Sequence, residues 1–143
     1  MTDIPRPEEV GAVTGSVRVL LRLEGLALFG LAVALYSQTH LSWLAFAALF
    51  LVPDISFLGY LAGPRVGAAA YNAAHDTFAP IAIVVAGYFL AANYIVLAVS
   101  LIWLAHIGFD RALGYGLKYP AGFGYTHLGL VGKAKRPVEM DVS

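Results

Sequence analysis

Cysteine is absent from the 143-residue chain, which excludes disulfide scaffolds, thiolate metal sites, cysteine nucleophiles and covalently attached c-type haem, and leaves the redox compartment open. Charge is nearly as scarce. Asp, Glu, Lys and Arg make up 13% of the residues, 9 acidic against 9 basic, while the hydrophobic set makes up 59% and the mean hydropathy is +0.74. Zero net charge gives no long-range field to gather nucleic acid, and no basic stripe interleaved with aromatics is present, so nucleic-acid binding is excluded. The motifs of common soluble enzymes are missing as well: no Walker loop, no dinucleotide fingerprint, no HExxH and no GxSxG. The length is that of one domain, and the composition is that of a membrane protein.

What the chain does have is long apolar runs. Stretches at about 19–37, 41–62, 67–90 and 92–115 each approach the roughly 20 residues that cross a hydrocarbon core of about 30 Å. Runs such as LSWLAFAALFL and PIAIVVAGYFL are apolar all round, whereas membrane strands alternate over about ten positions. The expected fold is therefore all-α, an antiparallel four-helix bundle whose first partner is the lipid bilayer. A polar tail over residues 1–16, without the basic and apolar regions of a cleavable signal, is expected before it. A disordered tail is expected over 134–143. Between them, residues 116–133 carry closely spaced glycines among Tyr119, Phe123 and Tyr125, a composition for a segment lying along the membrane face over the mouth of the bundle. Basic residues orient the whole. Arg6, Arg18 and Arg22, then Arg65, then Lys118, Lys133, Lys135 and Arg136 fall on one side of the four runs, and the other two connections have none. Both termini are thus expected in the cytoplasm, in the inner membrane of a bacterial cell.

Ionisable residues inside apolar spans are the informative ones, because each costs several kcal/mol unless paired or bound. Every run has at least one: Arg22 and Glu24, then Asp54, then His75 and Asp76, then His106, Asp110 and Arg111. Counted from the cytoplasmic ends at about 1.5 Å per residue, Glu24, Asp54, His75, His106 and Asp110 lie roughly 9 to 18 Å deep. Helices alternate in direction, so a common depth predicts one cluster in the inner half of the bundle. His106 and Asp110 are four apart and share a helix face, as do Tyr71 with His75 and Asn72 with Asp76.

Neutral imidazole and carboxylate are the nitrogen and oxygen ligands of zinc, iron and manganese, and helical bundles build such sites from inward-facing residues of several helices. Asp54, His75, His106 and Asp110 are the expected metal ligands, with Asp76 or Glu24 as supporting group or general base. Pro80 cannot donate to the carbonyl four residues back, that of Asp76, which is expected to become a spare acceptor beside the cluster, and Pro53 bends the second run beside Asp54. Arg22 and Arg111 are expected to reach back to the interface. His127, in the glycine-rich segment, is a candidate for folding back over the cluster. His40 lies in the opposite loop and takes no part. Gly59 and Gly63 form a GxxxG that suits close packing within the bundle.

The blocks RLEGLALF, VPDISFLGYLAG, YNAAHD followed by Pro80, LIWLAHIGFDRALGYGLKY and FGYTHLGLVGK resemble the domain-of-unknown-function 4260 family of small bacterial membrane proteins, over about residues 18–133. Glu24, Asp54, Asn72, His75, His106, Asp110, Arg111, Lys118, Thr126 and His127 are the polar positions in those blocks. The resemblance implies the four-helix bundle and these residues, and implies no activity. Four functional expectations stand. The first is a metal centre, with metal-assisted hydrolysis of a lipid-phase substrate if the protein is an enzyme. The second is a proton- or ion-coupled carrier or channel subunit using the same residues as a relay. The third is a bis-histidine haem protein using His75 and His106, disfavoured by the crowding carboxylates. The fourth is an accessory subunit of a homo-oligomer or larger membrane complex.

Overall fold

The computed structural model describes residues 11–90 and 93–135. Most of the expected N-terminal tail, part of the turn before the last long helix, and residues 136–143 of the expected C-terminal tail lie outside the described residues. The chain is a helical bundle: α1 (Gly15–Ser37), α2 (Trp43–Phe50), a 3₁₀ helix (Val52–Ala62), α3 (Pro64–His75), α4 (Phe78–Phe89) and α5 (Tyr94–Leu113), followed by strands β1 (Tyr125–Thr126) and β2 (Gly129–Leu130) and a short 3₁₀ turn (Gly132–Lys135). Three helical stretches, Gly15–Ser37, Trp43–Ala62 and Tyr94–Leu113, are long and apolar enough to cross a membrane. Their outer faces are apolar and open: Leu20, Leu44, Leu61 and Ile95 are 59%, 81%, 88% and 62% exposed, a kind of surface that marks a membrane or partner contact.

The centre of the bundle is the antiparallel pair α1 and α5, which meet at glycines. A Cβ on Gly25 would lie 2.9 Å from the carbonyl oxygen of Gly108, and one on Gly108 would lie 2.7 Å from the carbonyl oxygen of Gly25 and 2.5 Å from the amide of Phe29. Backbone therefore lies on backbone, the contact that small residues permit where lipid removes any hydrophobic drive for helices to associate. Toward the other end, Tyr36, Ala98, Leu101 and Ile102 are buried together and Phe46 and Phe50 pack against them. The Tyr36 hydroxyl donates to the carbonyl of Ser42 at 2.9 Å, holding the turn that contains His40.

Two expected spans differ in detail from continuous α-helix. In the second, α2 gives way at Leu51 to 11 residues of 3₁₀ helix with Pro53 in its first turn. In the third, α3 stops at His75, Asp76 is extended (ψ 152°), and α4 begins at Phe78. The amides of Phe78 and Ala79 donate to Asp76 Oδ1 at 2.8 and 3.2 Å, which satisfies the open N-terminus of α4. Pro80 consequently occupies the first turn of a new helix, where its missing N–H has no intrahelical partner to lose. The indole Nε1 of Trp103 donates to the carbonyl of Ala74 at 2.6 Å, pinning the end of α3 to α5. Of the GxxxG pair, Gly59 packs on Ala70 of α3 and Gly63 is the turn itself at φ +106°.

Gly114 ends α5 at φ +96°, with its own amide on the Arg111 carbonyl (3.0 Å) and that of Tyr115 on the Asp110 carbonyl (2.8 Å). The chain then folds back. Tyr119 N–H donates to Tyr125 and His127 N–H to Leu117, β1 pairs with β2, and Val13 N–H ahead of α1 donates to the carbonyl of His127. The glycine-rich segment is thus a strap across one end of the bundle.

Candidate metal centre

Three helical elements, the 3₁₀ helix, α3 and α5, each deliver one or two side chains to a single point. A 3₁₀ helix repeats every three residues, so positions three apart stack on one face. Asp54, Phe57 and Tyr60 form such a face on the side of the cluster, with Phe57 still 37% exposed, while Ile55, Leu58 and Leu61 form another that is far more open. α3 ends on His75 with Tyr71 one turn before it, and α5 presents Trp103, His106 and Asp110 along one side.

Asp54, His75, His106 and Asp110 meet there, each offering one ligand atom, and all four atoms lie within 4.8 Å of one another. His75 Nε2 is 3.1 Å from His106 Nε2, 3.7 Å from Asp54 Oδ1 and 3.5 Å from Asp110 Oδ2. His106 Nε2 is 3.4 Å from Asp54 Oδ1 and 3.6 Å from Asp110 Oδ2. Nitrogen and oxygen ligands at about 2.0–2.2 Å from a tetrahedral zinc stand about 3.3–3.6 Å apart, so these five separations are close to the edges of a coordination tetrahedron. The two imidazoles are 3% and 2% exposed.

The surroundings prepare the ligands. His75 Nδ1 lies 2.9 Å from the carbonyl oxygen of Tyr71, which can only accept, so the ring proton sits on Nδ1 and the lone pair of Nε2 points into the cluster. The Tyr71 ring stacks on that of His75 at 3.7 Å and 11°, and its hydroxyl donates to Asp110 Oδ2 at 3.1 Å. Phe57 packs against Tyr71 at 5.3 Å and lies 6.4 Å from the His75 ring, and Phe50 stands edge-on to His106. His106 is supported on one side alone, since its buried Nδ1 has no hydrogen-bond partner. Among the described residues, neither carboxylate is within 4 Å of a lysine or arginine. Two carboxylates facing two imidazole nitrogens across 3.4–3.7 Å, with the Tyr71 hydroxyl as a donor to one of them, make a site short of positive charge, and either a cation or added protons must balance it. A haem would need His75 and His106 on opposite faces of a flat macrocycle, and here their nitrogens touch with carboxylate oxygens beside them.

The other candidates lie elsewhere. Asp76 spends Oδ1 on the start of α4. Glu24 is exposed on α1 and lines a separate pocket with Arg111 and His127. Asn72 holds the strap: its amide donates to the carbonyl of Lys118 at 2.8 Å and its oxygen accepts the Lys118 amide at 2.6 Å. Arg22 donates from Nε to the carbonyl of Ala112 near the end of α5. His127 anchors the strap, with Nδ1 accepting the Leu117 amide at 2.9 Å.

Sequence reasoning singled out neither Tyr71 nor the Lys118 side chain as part of the site. Lys118 Nζ lies 4.7 Å over the Tyr71 ring and 3.9 Å over that of Phe123, and donates to the Phe123 carbonyl. Burial lowers its pKa to about 8, against the opposing charge of Asp110. Tyr71 stands one turn before His75, and that spacing was its signal. Tyr71→Phe keeps the stack and removes the bond to Asp110. Loss of such an outer partner weakens metal binding by about 10- to 100-fold. Titration of the apo protein with zinc should show that change with an unaltered helical spectrum.

The fold and this group of four define a helical bundle, equipped to cross a membrane, around a His/Asp cluster whose imidazoles are buried and whose carboxylates are part-buried. Residues 18–131 match the family described as Domain of unknown function (DUF4260), and the chain belongs to that family. No curated protein and no solved structure shows a significant match to it.

Proposed function

We propose that the protein is an integral membrane protein of the bacterial inner membrane in which Asp54, His75, His106 and Asp110 hold one zinc, iron or manganese ion. The observation that carries the reading is the convergence of four ligand atoms from three helical elements, five of whose six separations are close to tetrahedral edges and all of which lie within 4.8 Å, with one imidazole already held in the ligating tautomer. Elemental analysis of the detergent-purified protein is the test. About one equivalent of metal per chain is expected; none after growth and purification in metal-supplemented medium would favour the proton-relay or accessory-subunit readings.

The chemistry the ion would supply is activation of water for hydrolysis. Access supports a lipid-phase substrate. An apolar cleft of about 280 Å³ is lined by Val52, Pro53, Ser56, Ala74, Val99 and Trp103. Pro53 precedes Asp54, Ala74 precedes His75, and Trp103 is one turn from His106, so the cleft adjoins the elements that carry three of the ligands. The loop charges further support a topology with both termini in the cytoplasm. Reporter fusions at residue 40 and residue 143 should therefore report opposite sides of the membrane, and the same side for both would end this topology.

A further inference from the structure

A second pocket, of about 190 Å³, lies between α1, the first turn of α4, the last turn of α5 and the strap. Its polar lining is Glu24, Thr77, Arg111 and His127, and its apolar lining includes Leu21, Leu28 and Ile81. We propose that this pocket binds a phosphate that carries a primary amine, the phosphoethanolamine group, as a lipid headgroup or free.

The donors come first. Arg111 is only partly exposed, and among the described residues its guanidinium makes no hydrogen bond and no ion pair within 4 Å. An arginine held that way near an apolar surface costs free energy unless an anion meets it, and a guanidinium fork matches phosphate oxygens. His127 is oriented for the same task. Its Nδ1 accepts the Leu117 amide, and Gly116 lies so close to Nδ1 and Cε1 that a Cβ there would collide with them. The neutral ring therefore carries its proton on Nε2, away from the strap. Burial, reinforced by the charge of Arg111, lowers the pKa of His127 and so favours the neutral ring. The Thr77 hydroxyl makes no hydrogen bond to another described residue.

Glu24 decides the rest of the ligand. A simple anion bound beside an exposed carboxylate is repelled by it, whereas an ammonium two carbons from the phosphate is attracted. The volume is below the roughly 300 Å³ at which pockets for drug-sized ligands begin, which suits a headgroup and excludes a whole lipid. Leu21, Leu28 and Ile81 leave an apolar flank along which an attached glycerol and acyl chain would run. The proposal does not depend on the metal centre, whose four ligands are absent from this pocket.

Binding is read by calorimetry on the detergent-purified full chain with four probes: phosphoethanolamine, dihexanoyl phosphatidylethanolamine, inorganic phosphate and ethanolamine. The first two are expected to saturate, and the last two to bind at least about 10-fold more weakly. Tighter binding of the lipid probe assigns the site to a membrane headgroup, and tighter binding of free phosphoethanolamine assigns it to a soluble metabolite. R111Q should weaken both amine-bearing probes at least about 10-fold. E24Q, at an exposed position, should bring phosphoethanolamine down to the affinity of inorganic phosphate and leave inorganic phosphate as tight or tighter. Binding should persist in chelator. Failure to saturate with either amine-bearing probe, inorganic phosphate equal to phosphoethanolamine in the unmodified protein, an E24Q protein that still prefers the amine, or loss of binding in chelator would each overturn the proposal.

Discussion

Excess zinc, iron or manganese is expected to raise the thermal midpoint of the chelator-treated protein and to leave a triple variant, His75→Leu, His106→Leu and Asp110→Leu, unmoved. A ligand of the native state stabilises by RT ln(1 + [L]/Kd), about 2.7 kcal/mol at a hundredfold excess over Kd. For a chain of this size each kcal/mol is worth about 2–4 °C, so the shift should be roughly 5–10 °C. The triple variant separates this reading from a network that only pairs internally. Removing one partner damages both kinds of site, because it leaves an uncompensated charge in the bundle. Replacing the group wholesale by apolar residues differs: an internally paired network loses its desolvation cost with its pairing, and the variant melts at or above the unmodified midpoint. In a metal site the variant, wherever its midpoint lies relative to the apo protein, gains nothing from added metal. A wild type indifferent to all three metals would instead favour protons as the balancing charge and the four residues as a relay.

The meeting of Asp54, His75, His106 and Asp110 was legible because it depends on two quantities a sequence carries, depth along a helix and spacing on its face. His106 and Asp110 illustrate the second, and the three-element convergence illustrates the first. Glu24 shows where depth alone misleads. It lies at the expected level, yet depth does not say which way a residue faces around the helix axis, and α1 turns Glu24 toward the pocket that Arg111 and His127 line. Asp76 shows a different limit. Read as the interior of one long helix, Asp76 and Pro80 become a freed carbonyl beside the cluster. Read as Asp-Thr-Phe-Ala-Pro, they are a capping carboxylate and a first-turn proline, the start of a new helix. Both readings obey local rules, and the tertiary bond from Trp103 to Ala74 goes with the second.

The 3₁₀ stretch was also written in the sequence, at a period not sought. Over Asp54–Leu61, polar and aromatic Asp54, Phe57 and Tyr60 alternate by threes with aliphatic Ile55, Leu58 and Leu61. An α-helix would spread those six residues around its axis, whereas three residues per turn gathers them into an inward and an outward face. The inward face stacks Phe57 on Tyr71 and sets Tyr60 against Phe123. The 3₁₀ helix that carries Asp54 is thereby packed against both α3 and the strap. The strap itself was legible only as composition, since two-residue strands and single side-chain anchors such as Asn72 leave no periodic trace.

The α1–α5 contact carries the second large effect. Gly108→Leu places a side chain where a Cβ already falls 2.5 Å from the Phe29 amide and 2.7 Å from the Gly25 carbonyl, so neither neighbour can yield by turning a rotamer. The helices must separate, and Arg22, which reaches from α1 to the Ala112 carbonyl, would move with them. Overpacking a well-fitted contact costs about 1–3 kcal/mol, and a clash with backbone belongs at the upper end. About 3 kcal/mol corresponds to a midpoint lower by roughly 10 °C. Gly30→Leu is the matched control, because a Cβ there meets nothing within 4 Å. It makes the same chemical change on an open face of α1, and the gain in helix propensity, under about 1 kcal/mol, makes it neutral or slightly stabilising. Melting the two variants side by side in one detergent isolates geometry from composition. If Gly108→Leu melted with Gly30→Leu, the backbone contact between α1 and α5 would not be what holds the bundle together.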